Sequence, residues 1–281
     1  MRLTVVVILA LAALAGAPDA NAYKLIGERW PQGTINVSSE APRYTKSVRR
    51  AVKLWNRAKL PVRLRVTPSA QARVIFRYSG GRGSGRTGCE GVAGGTGAGY
   101  PGIDFTVLGV YVIRSCSSRR LRDFTAMHEL GHALGLGHEN RRCALMNSRA
   151  TVLSGLGARC PARGPTARRL RRTFLTKDDR RGVRRLYGRP FAPQVSSRPL
   201  FNSTVSSFGD GTGLGSFSAT LPNAALSFAW DFGDPSSGAA NRAAGRAVQH
   251  RYSARGAYTV VMSVIDSGVV VVRRSETAVV Q

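Results

Sequence analysis

A chain of 281 residues that is 43% hydrophobic and 20% charged has a globular composition, which excludes a wholly disordered protein. Its 42 Lys and Arg against 15 Asp and Glu give a formal charge of +27 and point to anionic partners. The excess is uneven: residues 1–191 hold 35 basic and 10 acidic side chains, a net +25, whereas residues 192–281 hold 7 and 5, a net +2. That contrast predicts two domains. Only five of the 42 basic residues are Lys; such a bias follows genome composition as easily as a partner, and it carries no weight here.

Residues 1–22 read as a secretory leader. Arg2 precedes an apolar run from Leu3 to Ala15, and Ala20-Asn21-Ala22 has the small residues of a cleavage site. The run is shorter than the ~20 residues of a membrane span. The mature chain is therefore expected to start near Tyr23 and to be secreted, without a membrane span. Export in turn favours disulfides for Cys89, Cys116, Cys143 and Cys160, since no two are spaced as C-x-x-C. Of three possible pairings, Cys89–Cys116 and Cys143–Cys160 need the least chain rearrangement.

Thr34 to Val37 predicts a strand. Apolar residues at Tyr44, Val48, Ala51, Val52, Trp55 and Ala58 predict a helix that Pro61 stops. Val62–Val66, Val74–Tyr78 and Val107–Ile113 read as strands, and the glycine-rich stretch Gly80–Gly102 as loop. A helix is expected to begin near Asp123 as its cap. Residues 141–175 show little periodicity. A last helix starts at Thr176, with Asp178 and Asp179 placed for the helix dipole, and ends at Gly188. Beyond Pro193 the period changes to two: Leu226, Phe228, Trp230 and Phe232 alternate with small or polar residues, and Tyr258–Val264 and Val269–Val272 are further strands. This predicts a small all-β sandwich over 191–281, after an α+β domain over 23–190 that folds alone.

Three of the four histidines fall within eleven residues, in the run His128-Glu129-Leu130-Gly131-His132-Ala133-Leu134-Gly135-Leu136-Gly137-His138. On a helix, His128 and His132 share a face and can address one ion. Gly135 lets the backbone leave the helix with positive φ, and the chain then delivers His138. Three nitrogen ligands with an open position describe a catalytic zinc ion. Glu129 stands beside them as a general base that is not a ligand.

His128 to His138 resembles the metzincin motif H-E-x-x-H-x-x-G-x-x-H. Ala144-Leu145-Met146-Asn147 is similar to the methionine turn of that family, with Met146 below the metal. Leu175 to Gly188 resembles the terminal helix of the matrixin branch. The resemblance implies a twisted mixed sheet with an active-site helix and a C-terminal helix. It also implies an extracellular zinc endopeptidase that binds protein or peptide substrates as extended chains against an edge strand. No cysteine precedes Cys89, so the family's cysteine-based latency has no counterpart. The fourth histidine, His250, lies in the other domain, which leaves no second histidine zinc site in 23–190; acidic residues there are too sparse for calcium, which is not predicted. Glu139 follows the third histidine, as in astacins, and is expected to be a solvated turn residue. The tyrosine that astacins carry after the methionine turn is absent from Asn147–Ala150.

Trp230-Asp231-Phe232-Gly233-Asp234, His250-Arg251-Tyr252 and Gly256-Ala257-Tyr258 resemble a PKD domain, an immunoglobulin-like sandwich that commonly serves as a spacer or binding module. The competing reading of the whole chain is a non-catalytic, basic, zinc-containing protein that binds anionic surfaces. No nucleic-acid motif is present, so specific nucleic acid is not expected.

Overall fold

A computed structural model describes residues 23–26, 28–79, 89, 91–94, 99–105, 107–151 and 155–281, with backbone only for 91–94. The expected leader lies outside them. In chain order the N-terminal part forms β1 (Lys24–Leu25), β2 (Thr34–Ser39), α1 (Thr45–Arg57), β3 (Arg63–Val66), β4 (Val74–Tyr78), β5 (Gly91–Gly94), β6 (Leu108–Val112), α2 (Arg119–Ala133), β7 (Leu136–Gly137), β8 (Ala150–Thr151), β9 (Leu156–Gly157), α3 (Gly164–Thr173) and α4 (Lys177–Tyr187). Five strands make one mixed sheet in the order β3-β2-β4-β6-β5. The first four run parallel and β5 runs antiparallel to β6. Val74, Ile75 and Phe76 are buried in succession, as expected of a parallel strand covered on both faces.

Three local expectations change. The stretch expected to be loop contains β5, because paired backbone, not an apolar run, makes that strand. Helix α2 begins four residues before Asp123: Ser118 caps it, with Leu121 N–H donating to Ser118 Oγ at 3.4 Å. Asp123 is instead a buried side chain 3.5 Å from Arg50 Nε. Helix α3 was not expected, since only Ala167 and Leu170 turn inward and so few apolar positions set no visible period. Helix α1 buries Val48, Ala51, Val52, Leu54 and Trp55 and exposes Lys46, Arg49, Arg50, Lys53 and Arg57. It contains no acidic residue, and like charges at i,i+4 each destabilise it by about 0.2–0.5 kcal/mol.

The C-terminal part is a sandwich of β10 (Gln194–Val195), β11 (Phe201–Ser207), β12 (Gly213–Ala219), β13 (Leu226–Asp231), β14 (Arg242–Ala244), β15 (Ala247–Tyr252), β16 (Gly256–Asp266) and β17 (Val269–Val280). One sheet has the order β10-β17-β16-β13-β14 and the other β11-β12-β15. The alternating aromatic residues are its core: Phe201, Phe217 and Trp230 meet edge-on or tilted, with centroids 5.0–6.5 Å apart. His250 is buried, stacks on Phe232 and holds Asp234 at 3.0 Å, a structural role.

The two parts meet through a hairpin tip. Ser267 and Gly268 both have positive φ, the geometry of a tight two-residue turn between β16 and β17. Beside them Asp266, with no exposed surface, accepts from Arg73 Nη1 and Nη2 at 2.6 and 2.9 Å, from Tyr100 Oη at 2.8 Å and from Gln32 Nε2 at 3.2 Å. Arg73 also lies 5.5 Å from the ring of Trp30, which packs edge-on to Tyr100. Ile103, from the N-terminal part, belongs to the hydrophobic core of the sandwich, and Asn223 donates to its carbonyl. The two parts thus share a packed interface with a buried ion pair.

Burial raises the Asp266 pKa, but hydrogen bonds from Arg73, Tyr100 and Ser267 outweigh it and hold the carboxyl below its ordinary value of 3.8. With the folded value below the unfolded one, this stability is present above the unfolded pKa and is lost as pH falls through the folded one. Asp266→Asn, which leaves Arg73 buried without its partner charge, is expected to lose about 3–5 kcal/mol in urea unfolding at neutral pH. The difference between variant and wild type should shrink below about pH 4. An unchanged midpoint at neutral pH would show the pair to be energetically silent.

Candidate metal centre

Helix α2 is buried from Asp123 to Ala133, so its histidines face the interior and not solvent. His128 and His132 sit one turn apart with ring centroids 4.6 Å from each other. The helix ends at Leu134, and Gly135 takes φ 95°, a conformation that side chains with a Cβ avoid. Strand β7 then pairs with β1, Lys24 opposite Gly137, and fixes the approach of His138. A methyl group on Gly137 would lie 2.4 Å from Ile26 Cγ2, so glycine is what lets β1 come this close. One ligand atom from each of His128, His132 and His138 lies within 4.8 Å of the others, and His132 Nε2 is 3.2 Å from His138 Nε2. The three histidines could bind a metal ion.

Their orientation is set from behind. His128 Nδ1 lies 2.9 Å from the Leu145 carbonyl and His132 Nδ1 lies 2.7 Å from the Leu136 carbonyl. A carbonyl only accepts, so each Nδ1 carries the proton and each Nε2 presents its lone pair. Burial pushes His128 down to about 3 and His132 to about 4; burial and then Lys24 lower His138. Neutral imidazoles are the form that ligates metal. His138 is exposed and the other two are buried, so the cluster opens to solvent on the His138 side. Glu129, next to His128, is buried.

Met146 is buried beneath the same helix. A methyl group on Gly131 would lie 2.4 Å from its sulfur, so the helix and the methionine touch at that glycine. The loop from 139 to 147 is rigid for several independent reasons. Glu139, expected to be solvated, is buried; its Oε1 accepts from Arg141 and Arg142 N–H, and its own N–H donates to the Met146 carbonyl at 2.8 Å. Asn147 donates to the Glu139 and Arg142 carbonyls and accepts from Arg159 N–H. Cys143 pairs with Cys160 across this loop, and Cys89 with Cys116 ahead of α2. Both are the pairs expected from sequence adjacency.

The carboxylate that ties these parts together was read in the sequence only as a dipole partner. Asp179 is 1% exposed and forms a capping box with Thr176. It also accepts from the backbone N–H of Leu145 at 3.1 Å and of Met146 at 3.4 Å. The sequence signal for α4 was sufficient to find the cap but not its second set of partners, which lie 33 and 34 residues away.

Residues 214–280 match the family model of the PKD domain. They are a PKD domain at the C-terminus, and the N-terminal part is a mixed α/β domain with a buried three-histidine cluster. No curated protein matches the chain.

Two substitutions test the centre. His132→Ala is expected to lower the metal content that elemental analysis finds in the wild type; full retention would overturn the three-histidine assignment. Asp179→Asn keeps the shape but weakens the grip on Leu145, whose carbonyl orients His128. Chelator competition should show metal affinity lower by about 10–100-fold. Wild-type affinity in that variant would show the loop to be held without Asp179.

Proposed function

We propose that the chain is a secreted zinc-dependent metalloendopeptidase with a matrixin-like, metzincin-type catalytic domain over 23–190. The observation that carries this reading is that one ligand atom each of His128, His132 and His138 lies within 4.8 Å of the others, with Glu129 beside His128 in the buried helix. Three neutral imidazoles, two of them backed by carbonyls, fit zinc in donor type and number. A zinc ion bound there would supply a Lewis acid and an acidified water at its open position.

This chain's residues do the rest. His128, His132 and His138 would hold the ion, and the exposed side of His138 leaves room for substrate. Glu129 receives the proton of the attacking water and delivers it to the leaving amine. Burial of the helix excludes bulk water around this exchange. Met146 packs against Gly131 and keeps the two helical ligands in register. The two disulfides suit an oxidising compartment, in keeping with the leader read in the sequence. The PKD domain, a family of spacers and binding modules, would bring the catalytic part to large substrates.

The test is full-length mature protein incubated with a diverse peptide mixture, with and without a zinc chelator. Cleavage that the chelator abolishes is expected. Glu129→Ala should retain stoichiometric zinc and lose cleavage by about 10²–10⁴-fold, the range of a general acid–base group. Wild-type turnover in that variant would overturn the mechanism. Zinc-loaded protein that cuts nothing in the mixture would favour the competing reading, a non-catalytic basic protein.

A further inference from the structure

We infer that a trough on the helical side of the N-terminal domain binds a linear anionic polysaccharide. The trough is apart from the histidine cluster and does not depend on the hydrolytic reading. Two clefts of about 330 and 400 Å³ form it, and they are continuous because Arg50 and Arg119 line both. Helix α1 contributes Arg49, Lys53 and Arg57 to one wall. The first turn of α2 contributes Arg120, and the end of α3 contributes Arg171 and Arg172. Asp123 is the one carboxylate lining it among the described residues.

The cations are ordered. Lys46, Arg50, Lys53 and Arg57 fall on one exposed stripe of α1, one group per turn, over about 16 Å. Arg50 is fixed at the centre: its Nε lies 3.5 Å from Asp123 and its Nη2 donates to the Arg171 carbonyl. Arg171 in turn donates to the Ala162 carbonyl at 2.9 Å. The N-terminus of α2, with no acidic residue in its first turn, adds its positive end to the same place. Helix α1 supplies no counter-charge of its own, and Asp123 of α2 meets only Arg50, so an external polyanion would relieve the remaining like charges. The stripe needs anions repeating about every 5.4 Å, close to the length of one sugar in an extended chain. Arginine forks suit carboxylate and sulfate groups.

Nucleic acid fits less well. None of the exposed large apolar side chains among the described residues lines the trough, and Phe174, which does, is buried, so bases find no stacking platform. Arg119 lies nine residues before His128 on α2, about 14 Å away, so a bound chain would run near the cluster without entering it.

The experiment measures binding of labelled heparin to full-length mature protein across a salt series. Wild type is compared with Arg49→Glu/Lys53→Glu and with the control Arg181→Glu/Arg185→Glu on the exposed face of α4. The trough variant is expected to lose affinity by about tenfold or more and to show a shallower salt dependence, as fewer counterions are released. The control should stay within about twofold of wild type. Melting midpoint and zinc content report that each variant is folded. Should the charge reversal prevent folding, the milder Arg49→Gln/Lys53→Gln should show a smaller loss in the same direction. Equal losses in the trough and control variants would overturn the proposal, because binding would then follow net charge alone. So would single-stranded DNA binding at least as tightly as heparin and being lost with the same trough substitutions.

Discussion

The histidine cluster depends on one buried carboxylate. Asp179 accepts four backbone and side-chain hydrogen bonds, two from its own helix cap and two from Leu145 and Met146. Burial raises its pKa and those bonds oppose the shift, so desolvation of this group is offset only while all its donors stay in place. Leu145 passes the constraint on, since its carbonyl is what Nδ1 of His128 meets. Met146 passes it a second way, by contact with Gly131 between the two helical ligands. A cap on the last helix of the domain thus fixes a ligand some fifty residues earlier in the chain.

A second line of contacts reaches the same helix from the opposite end. Trp30 has no exposed surface, and its Nε1–H donates to the Ala133 carbonyl at 2.7 Å, one residue after His132. Its backbone N–H reaches Tyr187 Oη on α4, and its ring carries Arg73 and Tyr100, two of the groups that grip Asp266 of the PKD domain. The fall in charge near residue 191 marks a change of surface and not a mechanical break. Both domains contribute atoms to one desolvated polar cluster, and substituting either Arg73 or Asp266 would leave the other buried and unpaired.

What the sequence revealed follows from the range of each signal. The helical face of α1, the strands β2, β4 and β6, the capping threonine of α4 and the alternating aromatic residues of β13 are local patterns, and each was legible. So was the convergence of His128, His132 and His138, because a helical turn and one glycine of positive φ connect them within eleven residues. Strand β5 was not, since Gly-Val-Ala-Gly has no period and exists through its partner. The burial of Glu139 and the loop contacts of Asp179 depend on a fold that returns the chain to the same place, and residue type alone is silent on that. Asp123 misled for a physical reason: an acidic residue ahead of an apolar run looks like a cap, and here its partner is Arg50 on another helix.

The excess of positive charge bears on how such a domain could hold a cation. The answer lies in distance. At physiological ionic strength, exposed charges are screened over about 8 Å, so most of the arginine surface acts weakly at the cluster. Within that range burial decides. It keeps His128 and His132 neutral, because a buried imidazolium would be desolvated and would face two neighbouring rings. Protonation is therefore a poor way for these rings to satisfy their converging lone pairs, and a divalent ion that all three can share is a better one. The basic residues at 46, 50, 53 and 57 stand in register along α1 at the surface, outside that range of burial. On α2 itself, Arg119 at the surface and His128 in the interior stand about 14 Å apart, so a site that could bind a cation lies beyond the screened reach of the surface charge.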